Sequence, residues 1–189
     1  MIVSQTPLRV SLFGGGTDLR AFYARAGGAV LSTSIDKYVY VVVKKRFDRT
    51  IRIAYTKTEN VAAVDEIQHD LVREAMRIVG IRSGVEIVTL ADIPSQGTGL
   101  GSSSALTVGL LNALYAFRGV SVGAEQLAQE ACRIEIDVLG APIGKQDQYI
   151  AAYGGLRAFA FHPDESVRAE PVALEPGLLQ ALDHHLLLF

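Results

Sequence analysis

A single cysteine, Cys132, stands in a chain of 189 residues, which excludes an internal disulfide and fits a reducing compartment. It lies near the apolar side of a helical pattern and reads as a buried, inert thiol. Excess charge is lacking too: 18 basic residues against 20 acidic ones leave −2 at neutral pH. That balance argues against a general binder of nucleic acid or of membrane surfaces. Basic residues cluster only at Lys44-Lys45-Arg46, the solvated end of a strand pattern. The longest apolar run, Ala105 to Phe117, is shorter than the roughly 20 residues a bilayer-spanning helix needs. No secretory leader is read before the first strand pattern. Internal repeats, low-complexity tracts and interdomain linkers are missing as well. One domain with a sizeable core is expected, in the cytoplasm.

What the chain does have is Pro94-Ser95-Gln96-Gly97-Thr98-Gly99-Leu100-Gly101-Ser102-Ser103-Ser104-Ala105. An alternating run, Val85 to Leu90, precedes it as a strand. A nearly all-apolar run, Ala105 to Phe117, follows as a helix that must be buried on most sides. Strand, glycine-rich loop and helix, in that order, set a helix N-terminus against an anion. Gly97, Gly99 and Gly101 let the backbone take φ > 0 and approach a ligand closely. The three serines sit where the first helical N–H groups lack partners, so a phosphate would meet N–H groups, hydroxyls and the helix dipole. The spacing matches neither G-x-x-x-x-G-K-[ST] nor G-x-G-x-x-G. An ordinary loop with a serine N-cap is the plain alternative. A buried helix that starts with three serines and no acidic residue favours an external anion.

Along the chain, Met1–Thr6 and Leu8–Phe13 read as strands interrupted at Pro7. Gly14-Gly15-Gly16-Thr17-Asp18 is a loop before a short helix, 19–25, ended by Gly27-Gly28. Strands follow at 29–35, 38–45 (broken near Asp36-Lys37) and 51–55, then a helix at 68–79 closed by Gly80. A helix over 124–139 places Leu127, Ala128, Ala131, Ile134, Val138 and Leu139 on one face. Glu135 falls in the middle of that face. A buried carboxylate needs a partner, a proton or a metal, so an arginine partner, a local kink, a metal ligand and a catalytic carboxylate all stay open. Asp147 opens a short helix ending at Tyr153, where an acidic residue also complements the dipole. Strands at 156–161 and 167–173 and a helix at 176–182 complete the pattern. His184 to Phe189 looks like the start of a buried strand.

Three segments combine glycine with polar residues, and together they resemble one family. Pro7-Leu8-Arg9-Val10-Ser11-Leu12-Phe13-Gly14-Gly15-Gly16-Thr17-Asp18 resembles the first motif of the GHMP kinases (galacto-, homoserine, mevalonate and phosphomevalonate kinases). Pro94 to Ala105 is similar to their second motif, P-x-x-x-G-L-G-S-S. Glu135 to Gly155 resembles the segment with their metal-binding glutamate and catalytic aspartate. The third motif, from the family's C-terminal domain, has no counterpart. The resemblance therefore implies an N-terminal ATP-binding domain over 1–183 and the start of a truncated second domain at 184–189. It implies an α+β fold of the ribosomal-protein-S5-domain-2-like type: a mixed, mostly antiparallel sheet with helices on one face.

The resemblance also implies roles. Pro94, Gly97, Gly99, Leu100, Gly101, Ser102, Ser103 and Ser104 would cradle ATP. Ser103 and Glu135 would hold Mg²⁺, although the residues alone do not say which serine touches the metal. Asp147 would be the base for a sugar hydroxyl, and Arg9 would stabilise charge beside it. Gly15, Gly16, Thr17, Asp18 and Gly144 would face the sugar. The chemistry would be in-line phosphoryl transfer. The G-G-G-T-D loop and the G-K-Q-D-Q-Y run look most like the branch acting on the anomeric hydroxyl of D-glycero-D-manno-heptose 7-phosphate. Galactokinases have an acidic residue and a histidine where this chain has Gly15-Gly16. A substrate phosphate would need cations, with Lys145, Arg20, Arg25 and Lys44-Lys45-Arg46 as unranked candidates. The partners implied are a small sugar phosphate and ATP, without nucleic acid or membrane, and the family pattern allows a homodimer. The rivals are another sugar 1-kinase, such as an L-fucose kinase, and a non-catalytic nucleotide-binding module. Because the family's cleft lies between two domains, a piece of this length need not turn over substrate.

Overall fold

Strand β1 (Ile2–Phe13) runs antiparallel to the chain's longest strand, β2 (Gly28–Lys45). The computed structural model describes residues 1–94, 98–175 and 177–185. Both strands are continuous where the sequence pattern predicts breaks at Pro7 and Asp36-Lys37. The two interruptions face each other: Pro7 pairs with Tyr38 and Arg9 with Ser34, so Leu8 stands opposite Ile35, Asp36 and Lys37. A proline gives no N–H to a ladder, and the surplus residues of β2 bulge out there instead of ending the strand. Arg9 is the next paired residue after this bulge.

In chain order the remaining elements are α1 (Arg20–Ala26), β3 (Ile51–Ala54), β4 (Thr58–Val61), α2 (Asp70–Val79), β5 (Val85–Ala91), α3 (Ser102–Phe117), α4 (Ala124–Cys132), a π-helical turn (Arg133–Val138), α5 (Gln146–Tyr153), β6 (Leu156–Phe161), β7 (Val167–Pro171) and α6 (Leu178–His184). β2 is the spine of one seven-stranded sheet. β1 lies on one edge; β5 pairs with its C-terminal half and β6 with its N-terminal half. β3 joins β5 in parallel, while the other pairings are antiparallel. The mostly antiparallel α+β fold is the one expected.

α3 lies on the sheet because its contact face is small and apolar. A Cβ on Gly109 would stand 2.7 Å from Thr6 Oγ1, and Ser4 Oγ donates to Gly109 O at 2.8 Å. Leu110, Leu111 and Leu114 pack with Val41, Val43, Ile53 and Met76 in the main core. A smaller core gathers Tyr23, Val30, Tyr149, Phe159 and Phe161 around Ala128 and Cys132. Cys132 is buried and unbonded, and burial pushes its thiol pKa up, so the inert reading holds. On the opposite sheet face Val3 is exposed.

Several boundaries differ from the pattern. α3 is not among them: it starts at Ser102, with the three serines in its first turn as expected. β4 has no counterpart in the sequence pattern, since Thr-Glu-Asn-Val has little apolar alternation. The predicted helix 124–139 turns π-helical at Arg133. The wider turn rotates the residues at its C-terminal end, leaving Val138 exposed although straight periodicity puts it inside. His184 closes α6 and His185 lies in the turn after it, so the predicted strand does not begin there, and residues 186–189 lie outside the described residues. Among the described residues no helix is long and apolar enough to cross a membrane.

Candidate active site

The N-terminus of α3 is the centre of the site. Gly101 precedes it with φ +76°, and Gly99 takes φ +65°, the left-handed region where glycine is at no disadvantage. No side chain caps the helix, so its first N–H groups face outward from the turn. Gly97, with Ser95 and Gln96, lies outside the described residues. The part of the loop that is described is fastened to β1 by Arg9: its backbone N–H donates to Leu100 O at 3.1 Å and its Nη1 to Gly99 O at 2.6 Å.

The same Arg9 grips Asp147. Nε donates to Oδ1 at 2.7 Å and Nη2 to Oδ2 at 2.8 Å, a two-bond fork between β1 and the first turn of α5. Both side chains keep a little exposure, 14% and 21%. Gly101 lies against the pair: a Cβ there would stand 3.3 Å from both Arg9 Cγ and Asp147 Oδ2. The expected acid and cation thus meet beside the glycine-rich loop.

Glu135 reaches the other side of the α3 N-terminus. It sits in the π turn, a local widening that often re-aims a functional side chain, and only 2% of it is exposed. Ser103 Oγ donates to Oε1 at 2.5 Å and Gln148 Nε2 to Oε2 at 2.7 Å. Burial raises its pKa, against the hydrogen bonds from Ser103 and Gln148. Of the alternatives open in the sequence, the local kink is present, and among the described residues no arginine pairs with Glu135. Among the described residues no cluster of three acidic, histidine or cysteine side chains could hold a metal. One carboxylate and one hydroxyl, both hard oxygen donors at the N-terminus of α3, would suit an ion such as Mg²⁺ that takes its other ligands from water and substrate.

The G-G-G-T-D segment forms a tight loop pinned from below. A Cβ on Gly14 would stand 1.9 Å from Ala29 O. Ala29 N–H donates to Thr17 Oγ1 at 3.0 Å. Asp18 is buried; its Oδ1 accepts from Gly16 N–H and its Oδ2 from Gln146 N–H, each at 3.0 Å. Gly144 passes so close that its Cβ would lie 2.0 Å from Asp18 Oδ2. Thr17 and Asp18 therefore fasten the loop, and Gly144 is glycine for lack of room. Gly15 is the member that faces Ser11 and Gln146.

Sequence reasoning missed Gln146, Gln148, Tyr55 and His69. The last two help to line a groove of about 550 Å³ with Leu71, Leu90, Ile93 and Leu106, which runs to Ser102 and Ser103. Tyr55 and His69 meet edge to face at 4.7 Å, and burial lowers the His69 pKa. No local pattern in the sequence marks this groove, since its walls come from residues 39 to 106 of the chain. Of the candidate cations, Lys145 and Arg20 both bind the Glu165 carboxylate, at 2.5 and 2.9 Å, beside a 370 Å³ pocket. Lys44 and Arg46 pair with Glu86 at the far end of β2. Arg25 ends α1.

Residues 62–155 match the GHMP kinases N terminal domain, and the chain belongs to that family. It is 30% identical over 200 residues to the D-glycero-alpha-D-manno-heptose 7-phosphate kinase of Campylobacter jejuni, covering all of this chain and 59% of that protein. A galactokinase of Roseiflexus sp. is 30% identical over 165 residues, covering 81% of this chain and 40% of that protein. A crystal structure of a D-glycero-D-manno-heptose 1-phosphate kinase from Bacteriodes thetaiotaomicron superposes with a TM-score of 0.88 at 28% identity, over 95% of this chain and 62% of that one. The chain thus spans about three-fifths or less of the length of these relatives.

Proposed function

We propose that this chain is the nucleotide-binding part of an ATP-dependent sugar-phosphate kinase acting on the anomeric hydroxyl of D-glycero-D-manno-heptose 7-phosphate. The observation that carries it is the Arg9–Asp147 fork standing against the uncapped N-terminus of α3. A module that only bound nucleotide would have no use for an aimed carboxylate at the phosphate end.

In this reading the base of ATP lies in the groove with Tyr55, His69 and Leu71, and its phosphates meet the α3 N–H groups and Ser102 to Ser104. Asp147 accepts the proton of the sugar hydroxyl as its oxygen bonds to the γ-phosphorus and the bond to the leaving ADP oxygen breaks. Arg9 fixes the direction of that carboxylate and adds positive charge where charge builds up. Ser103 and Glu135 would hold Mg²⁺, which supplies charge neutralisation on the phosphates. The Gly14–Asp18 loop and Gln146 would shape the sugar subsite. Arg20 and Lys145, which line one pocket and share the Glu165 carboxylate, are the cations we assign to the distal phosphate, which would compete with Glu165 for them. A soluble, cytoplasmic enzyme with small-molecule substrates goes with this reading.

The test is ADP release over a panel of heptose 7-phosphate, heptose 1-phosphate, L-fucose and galactose. Turnover on the 7-phosphate alone supports the assignment; a preference for fucose or galactose replaces it with another sugar 1-kinase. Asp147→Asn is expected to bind ATP normally and to lose about 10²- to 10⁴-fold in kcat. Equal turnover in wild type and variant removes Asp147 from the chemistry.

A further inference from the structure

Gln148 follows the aspartate of the fork, and one helical step, about 100° around α5, sends its side chain inward. It is completely buried. Its Nε2 donates to Glu135 Oε2 at 2.7 Å, while its Oε1 is buried with no partner among the described residues. An apolar side chain of similar volume would fill this space without an unpaired amide oxygen. Packing therefore does not account for a glutamine here. The amide N–H does: it is the single donor on Oε2 of a carboxylate whose other oxygen is held by Ser103. Glu135 comes from a π turn and, among the described residues, has no cation on it, so nothing else there fixes that second oxygen.

We infer that Gln148 is the positioning residue of the metal-binding carboxylate, holding Glu135 in the orientation that a divalent cation shared with the nucleotide phosphates requires. The inference rests on the reading of Glu135 as a metal ligand. It gives α5 two duties at consecutive residues: Asp147 is aimed at the sugar side and Glu135 is steadied on the nucleotide side. Donors behind a metal ligand commonly account for 10- to 100-fold in affinity.

The experiment compares ATP binding in the presence of Mg²⁺ and of EDTA, by calorimetry, for wild type, Gln148→Met, Gln148→Asn and Glu135→Gln. Methionine keeps the length without the donor; asparagine keeps the donor but draws it back by one methylene. Both variants are expected to reduce the Mg²⁺-dependent gain in affinity about tenfold. Metal-free ATP binding should stay close to wild type, while the melting midpoint falls in both variants, which leave a buried carboxylate short of one donor. A full Mg²⁺-dependent gain in both variants overturns the inference, and so does an equal loss with and without metal, the mark of a packing residue. If Gln148→Met does not fold, Gln148→Asn decides by the same readout. Glu135→Gln separates the two readings. If it keeps the Mg²⁺ gain, the metal reading fails and Gln148 falls with it. If it loses the gain while the Gln148 variants keep it, Gln148 alone is refuted.

Discussion

Asp147 and Glu135 both stand at the N-terminus of α3, and the protein treats them oppositely. Asp147 meets a guanidinium through two charge-assisted bonds and keeps some contact with water. Glu135 is buried with two neutral donors, Ser103 and Gln148. The first carboxylate is neutralised and aimed, and a cation would have to compete with Arg9 for it. The second lacks a positive charge that the described residues do not supply. In the proposed reading, one helix end would host a proton acceptor and a metal ligand without the two exchanging roles, because their companions differ in charge.

The strongest way to break this contrast is to remove the fixed cation. Arg9→Ala is expected to lower kcat/KM by about 10²- to 10³-fold, with a smaller loss in Arg9→Lys, which keeps charge but not the fork. A kinetic assay showing lysine equal to wild type would mean that charge alone matters at this position. Arg9 also fastens Gly99 and Leu100, so the alanine variant should bind ATP less tightly as well.

A milder disturbance comes from Gly101→Ala, where two costs add. The backbone has φ +76°, and the new Cβ would press on Arg9 Cγ and Asp147 Oδ2 at 3.3 Å. Gly119 shares the first cost, with φ +75°, but has nothing within 4 Å of its Cβ position. Gly119→Ala should lose about 1 kcal/mol of stability by denaturant titration and keep its kinetics. Gly101→Ala should lose about 2 kcal/mol and also slow turnover. Similar kinetics in the two variants would show that the fork tolerates displacement.

How much of this was legible in the sequence depends on where each signal was local. The α3 loop, the carboxylate on an apolar helix face and the acidic start of α5 are short-range patterns, and the structure brings all three together. The continuity of β1 and β2 was not legible. Pro7 and Asp36-Lys37 are genuine interruption signals, but they are opposed across one bulge, a pairing that only tertiary structure reveals. The π turn escaped a fixed 100° period for the same reason that Val138 was misplaced. Gln148 escaped because a glutamine beside an aspartate of evident chemical use carries no local mark; its role exists only through Glu135, 13 residues earlier.

The finest test sets the two carboxylate-to-amide changes side by side without metal or nucleotide. Asp147→Asn breaks a charge-assisted fork and leaves Arg9 half-partnered, so stability should fall by about 1–2 kcal/mol. Glu135→Gln should move the other way, by roughly 1 kcal/mol, because it removes a buried charge that no cation offsets. Gln148 can accommodate the change: by turning its amide it presents Oε1, the atom now without a partner, to the new NH₂ group. The sign of the pH dependence is set by burial, which raises the folded pKa of Glu135 above its ordinary 4.5. Stability from the protonated form is then complete below that value and is lost as pH rises through the raised one. Glu135→Gln flattens this decline, so the variant gains on wild type above the window and not below it. Denaturant midpoints in EDTA across that range measure the difference, and Mg²⁺–ATP should reverse the order by stabilising wild type alone. If both amides lower stability equally at neutral pH, the two carboxylates are not in opposite electrostatic company.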